Sequence, residues 1–170
     1  LRRNALSTFL VTLLISHSTV EAADMSGRAR VIDGDTISIR QQRIRIAAID
    51  ACERDQTGLK DGKVWRCGAA ARSYLGKMID GQHVRCDIID QDQYRRLVGQ
   101  CFMGDTDIGL AMVKAGLAEA MLRYLPAAHS ISEVEYGQAE NSARDHGFGM
   151  WSAEIESPYD YRRSKSSRIP

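Results

Sequence analysis

Asp33-Gly34-Asp35-Thr36, then, past a short run and a turn, Arg43-Ile44-Arg45-Ile46-Ala47-Ala48-Ile49-Asp50-Ala51-Cys52-Glu53: this stretch decides the fold. Ile37 and Ile39 alternate with polar residues in Thr36–Arg40, and the Asp33-Gly34 pair ahead of them is a strong hairpin signal. Gln41-Gln42 turns the chain into a further strand, Arg43–Ile49. Acidic residues are depleted in strands, yet this pair of strands carries them at both ends. Folded back on themselves, the strands bring Asp35, Asp50 and Glu53 together beside Arg45. Carboxylates gathered in that way bind a hard cation, and an adjacent arginine suits a phosphate oxygen. Cation, phosphate and a spare carboxylate base point to phosphodiester hydrolysis as the expected chemistry.

Strand parity sets a condition on this reading. Ile44, Ile46, Ala48 and Asp50 share one face, whereas Arg45 shares the other with Ala47 and Ile49. Arg45 and Asp50 meet one ligand only if the strand bulges or coils sharply near Ala47-Ala48, as strands do at the corners of small barrels.

Working outward, Arg28–Asp33 reads as a strand before this stretch and Arg54–Lys63 as a polar loop after it. Val64, Ala71, Leu75, Met78 and Ile79 mark a helix over 64–79, ended by Asp80-Gly81. Gln82–Ile89 and Arg96–Met103 pair across a turn at Asp90–Tyr94. Asp105–Asp107 turns and caps a short helix, Ile108–Ala115, stopped by Gly116. Ser130 is expected to cap a last helix to about His146, with Trp151 packing on the core. Short alternating strands with a helix between the third and fourth give an α+β domain: a five-stranded Greek-key barrel of the OB type, with three helices.

At 170 residues the chain holds one good core and not two ordinary domains. Arg2-Arg3, the largely apolar run Ala5–Ile15 and Val20-Glu21-Ala22-Ala23 have the pattern of a secretory signal. We expect a signal over 1–22, a linker over 23–27, the domain over 28–152 and a flexible basic tail over 153–170, in an exported protein, periplasmic or extracellular, and monomeric. Loss of residues 1–22 leaves 21 basic and 21 acidic side chains, so a polyanion must be held by local arginines and not by bulk charge.

The ordered set D-G-D-T (Asp33–Thr36), R-I-A-A-I-D-A-C-E (Arg45–Glu53), D-Q-Y-R-R (Asp92–Arg96), V-K-A-G-L-A (Val113–Ala118) and G-F-G-M-W (Gly147–Trp151) closely resembles the staphylococcal nuclease family. The resemblance covers Arg28 to Trp151 and implies the same barrel. It implies Ca2+ held by Asp35, Asp50 and the Ala51 carbonyl, with Asp33 behind them. Glu53 is implied as the residue activating water, and Arg45 and Arg96 as the arginines on phosphate. Tyr94 and Tyr124 match positions that contact nucleotide, and packed loop aromatics are an equally good reading of them. The implied substrates are DNA and RNA, cut at the 5′ P–O bond to leave 3′-phosphate ends. Three positions depart from the pattern: Cys52 replaces a proline, Arg95 a glycine and Leu122 a tyrosine. The alternative is a non-catalytic OB module that binds single strands or a protein partner. Clustered acids facing a polyanion count against it.

Cys52, Cys67, Cys86 and Cys101 show no close pair spacing of the zinc-binding kind. Cys86 and Cys101 lie equidistant from the turn at Gln93–Tyr94, so a simple antiparallel register sets them opposite each other. That leaves Cys52 to pair with Cys67, tying the loop of Glu53 to the first helix where the family has a stiff proline.

Overall fold

The computed structural model describes residues 24–167; the expected signal segment lies outside them. The strands are β1 (Asp24–Val31), β2 (Thr36–Ile39), β3 (Gln42–Ile46), β4 (Ile49–Ala51), β5 (Gly58–Lys60), β6 (Lys63–Trp65), β7 (His83–Gln91), β8 (Leu97–Met103), β9 (Thr106–Asp107) and β10 (Ala118–Ala120). The helices are α1 (Cys67–Ile79), α2 (Ile108–Lys114), α3 (Glu133–Asp145) and α4 (Pro158–Ser166). Strand order β3-β2-β1-β7-β8 closes on itself through a parallel β3–β8 pairing, which makes a five-stranded mixed barrel of the expected OB type.

The barrel interior is filled by Ile37 and Ile39 from β2, Ile44 and Ile46 from β3, and Val84 and Cys86 from β7. Each alternates with outward residues, as the period of two requires. Ala71, Leu75 and Ile79, one helical stripe of α1, seal one side. Asp107 caps α2 by accepting from the Leu110 N–H, and the buried Tyr136 hydroxyl of α3 donates to the same carboxylate at 2.9 Å. One acid thereby fixes two helices.

Five local expectations are corrected. The 23–27 linker is the start of β1 from Asp24 onward, because nine-residue β7 offers Asp24–Arg28 a partner at every position. The loop after Glu53 contains the hairpin β5–β6. Helix α1 starts at Cys67, three residues late. Ser132, not Ser130, caps α3, while Ser130 Oγ donates to Gln100. The segment 153–170 is not a flexible tail over its described part, since α4 makes a fourth helix. Its start is well specified: Ser157 accepts from the Asp160 N–H, and Pro158 takes the first turn, where no backbone donor is needed.

Both disulfides have the expected partners. Cys86 and Cys101 face each other in register across β7 and β8, with Cα atoms 4.0 Å apart. Cys52 and Cys67 join with Cα atoms 5.8 Å apart and pack with Met150 in a small second core, against which Trp65 and Trp151 lie.

Candidate active site

The parity problem is solved where it arose. β3 ends at Ile46, Ala47-Ala48 turns with Ala48 in the left-handed region (φ 64°), and β4 restarts at Ile49. That turn rotates Asp50 onto the side of Arg45. The Arg45 guanidinium then bridges two carboxylates, Nη1 to Asp35 at 2.7 Å and Nη2 to Asp50 at 2.9 Å. Asp35 is brought alongside by the β2–β3 hairpin, in which Thr36 pairs with Arg45 and the Asp35 carbonyl accepts from Ile46. β10 backs β4, setting Glu119 opposite Asp50.

The Asp50 side chain is wholly buried, and a buried carboxylate needs compensation on both oxygens. Arg162 of α4 supplies it, with Nη1 on Oδ1 and Nη2 on Oδ2, each at 2.6 Å. The same Nη1 reaches Glu53 Oε1 at 3.2 Å. Burial pushes the Asp35 carboxyl up to about 6; Arg45 opposes the rise and Asp33 adds to it. Burial alone would lower the pKa of Arg45, but Asp35 and Asp50 outweigh it and hold the guanidinium charged. The Arg162 pKa is raised in the same way, its burial outweighed by Asp50 and Glu53.

Glu53 is held on a braced loop. Its N–H donates to Oε1 of buried Gln56 at 3.0 Å, and Gln56 Nε2 donates to the Glu156 carbonyl at 2.9 Å. Gly68 of α1 lies so close to the Glu53 carbonyl that a Cβ there would overlap it. Next to this contact the Cys52–Cys67 bridge closes a loop worth roughly 3 kcal/mol in the chain-entropy model. A Cys52→Ser/Cys67→Ser double variant should therefore lower Tm by about 6–12 °C. It should lose activity at temperatures where circular dichroism still reports a folded barrel. Activity and structure lost together would refute the bracing role.

Not every expected residue joins the cluster. Arg96 donates from Nε to Asp92 at 2.7 Å, its guanidinium 5.6 Å from the Tyr94 ring. It lines the same groove as Arg45 without touching the acids. Asp33 Oδ1 accepts from the Asp35 N–H at 3.4 Å, a turn-shaping contact. Ala51, buried at the end of β4, follows Asp50 directly. Tyr94 and Tyr124 are 71 % and 62 % exposed, free at the groove wall and not packed as core. Arg95, where the pattern has glycine, takes φ 62°, the left-handed conformation that explains a glycine there. Sequence reasoning missed Arg162, Tyr159 and Arg163 of α4. The signal that could have found them is the helix start Ser157-Pro158-Tyr159-Asp160, a capping pattern with proline in the first turn.

The donors suit a hard cation. They are carboxylate oxygens linked through two guanidiniums, Asp35 and Asp50 by Arg45 and Asp50 and Glu53 by Arg162, so a guanidinium already occupies the cationic position against Asp50 and Glu53. Among the described residues no group of three or more His, Cys, Asp or Glu forms a ready-made metal cage. The groove around the cluster, about 1610 Å³, is lined by Arg43, Arg45, Tyr94, Arg96, Tyr124, Tyr159, Arg162 and Arg163 among others. Aromatic faces interleaved with guanidiniums are the surface that single-stranded nucleic acid prefers.

Glu119, beneath Asp50, gives a pH-dependent stability. Burial, then Glu140 and Asp50, raise its carboxyl to about 7, against the pull of Arg144. Between its ordinary value of 4.5 and about 7 the folded chain holds a proton that the unfolded chain releases, so stability falls as pH rises through that window. In chelator, Glu119→Gln should raise Tm at pH 8 and leave it nearly unchanged at pH 4. Equal melts for the two proteins at pH 8 would contradict this.

A closed five-stranded barrel with an acid–arginine cluster at its rim and a basic, aromatic groove beside it is an OB-type domain of the staphylococcal nuclease kind. The chain belongs to the staphylococcal nuclease homologue family, whose sequence model matches residues 43–153. It is 31 % identical over 164 residues to the succinoglycan biosynthesis protein ExoI of Rhizobium meliloti, covering 95 % of this chain and 82 % of that protein. It is 34 % identical over 139 residues to the probable endonuclease LCL3 of Pyricularia oryzae, covering 78 % of this chain. Protein ParB of Escherichia coli is 30 % identical over 161 residues, covering 86 % of this chain and 84 % of that protein. The chain spans about half the length of the endonuclease-named relatives (51 % for LCL3 of P. oryzae). No helix of the described residues is long and apolar enough to cross a membrane.

Proposed function

We propose that this protein is an exported, Ca2+-dependent nuclease that hydrolyses DNA and RNA, leaving 3′-phosphate ends. The observation that carries the reading is the Arg45 bridge between Asp35 and Asp50 at the rim of the basic groove. A site meant only to bind a polyanion gains nothing from buried acids facing it. The names of the LCL3 relatives support the nuclease reading. Two disulfides, Cys52–Cys67 and Cys86–Cys101, support an oxidising compartment, periplasmic or extracellular.

Asp35, Asp50 and the Ala51 carbonyl would hold the cation, which when bound supplies charge against the phosphoryl oxygen and orients water. Glu53, on its braced loop, accepts the proton of the attacking water. Arg45 holds the two aspartates in register and faces the groove with its remaining N–H donors, where it opposes charge gathering on the equatorial oxygens. Arg96 exchanges Asp92 for a phosphate oxygen as the strand enters. Tyr94 and Tyr124 receive bases. End-labelled single-stranded DNA and RNA oligonucleotides, digested and treated with a 3′-phosphatase, test the reading. A mobility shift on phosphatase treatment is expected; 5′-phosphate products would contradict the assigned bond.

A further inference from the structure

Asp50 and Glu53 are already engaged by a cation that belongs to the chain. Three guanidinium contacts from Arg162, at 2.6, 2.6 and 3.2 Å, take up both oxygens of Asp50 and one of Glu53. A calcium ion on Asp50 draws on the same two oxygens at 2.3–2.6 Å. With Arg45 also on Oδ1, about three of the four lone-pair sites of Asp50 are taken, and a calcium ion seated there meets the charge of the Arg162 guanidinium.

We propose that Arg162 is a built-in competitor for the metal, so that the site takes up its cation by exchange with the α4 guanidinium. The proposal rests on the assignment of Asp50 to the metal made above. Charge supports the exchange. Asp35, Asp50 and Glu53 against Arg45 and Arg162 leave one formal negative charge; with Arg162 withdrawn there are two, which a divalent ion neutralises. The arginine is the partner with a way out to solvent, its side chain 35 % exposed while that of Asp50 is wholly buried. Its helix, however, stays tied. Glu154 pairs with Leu59 through two backbone hydrogen bonds of 2.8 and 3.0 Å, and Lys165 reaches Asp55 at 2.5 Å. Once displaced, the guanidinium remains at the rim of the groove that it lines, where the phosphates of a bound strand offer it a new anion. Substrate therefore lowers the cost of metal entry, and by linkage metal favours substrate.

Isothermal titration of CaCl2 into the metal-stripped full chain tests this without reading activity. Arg162→Gln should bind calcium about 10-fold more tightly or better, within the ordinary range of coupled sites. Arg163→Gln removes an equal charge one residue away, from a guanidinium lying over Tyr159, and should change the affinity by no more than about twofold. Arg162→Lys, which keeps a charge but not the two-pronged contact, should fall between wild type and Arg162→Gln. The metal-free Arg162→Gln protein should melt below wild type and gain more from calcium. Unchanged or weaker calcium affinity in Arg162→Gln, with wild type binding normally, would overturn the exchange while leaving the metal site standing. Calcium uptake by none of the proteins would overturn the metal assignment itself, and the exchange with it.

Discussion

Asp50→Ala should abolish calcium-dependent hydrolysis, with a loss on the order of 10³-fold or more, the upper scale of removing a single electrostatic stabiliser at a reacting centre. Asp50 is the hub of the site: it is the wholly buried acid, and it accepts from Arg45 and from both terminal nitrogens of Arg162. Removing it leaves Arg45 on Asp35 alone and Arg162 on Glu53 alone. Metal-free stability should fall too, because two half-buried guanidiniums lose a partner. Asp50→Asn separates the effects. It keeps the shape of the side chain, so its melt should lie closer to wild type while its activity stays lost. Near-full activity in either variant would remove Asp50 from the metal set.

Arg45→Lys should lower kcat by about 10²–10³-fold while raising KM much less, as expected when an interaction strengthens in the transition state. The geometry gives the reason that lysine fails. Nη1 and Nη2 engage different carboxylates in one rigid plane, and an ammonium, a single point charge, lacks the fork that sets Asp35 and Asp50 in register while directing further donors into the groove. The variant should therefore show loosened metal affinity as well as slower turnover. If kcat were unchanged, the work assigned to Arg45 would pass to Arg96 or Arg162.

Much of this was legible in the sequence, for physical reasons that can be named. Alternation at Ile37, Ile39, Ile44 and Ile46 specifies barrel strands because inward and outward faces differ at every step. The parity conflict between Arg45 and Asp50 is itself informative, since it calls for a bulge or sharp coil near Ala47-Ala48, and Ala48 at φ 64° turns the chain there. The Cys86–Cys101 pairing followed from register across a single turn. What was not legible is what depends on long-range contact. β1 begins early because β7 is long, a fact carried by residues about sixty positions away. The α4 helix was masked by its basic composition, which reads as a solvated tail until Ser157, Pro158 and Asp160 are taken together as a helix start. No local pattern says that Arg162 will lie on Asp50, 112 residues earlier. That contact arises because the Glu154–Leu59 pairing and the Gln56–Glu156 bond lay the C-terminal segment across the Glu53 loop.

The central claim is that the acids and arginines at the barrel rim form a metal-dependent hydrolytic site and not a binding surface. Incubation of the purified protein with heat-denatured DNA and with RNA, in calcium and in excess chelator, tests it most directly. The account predicts degradation of both polymers in calcium and none in chelator, restored when calcium is added back. Tight binding of single strands without cleavage in calcium, or cleavage that continues in chelator, would contradict it.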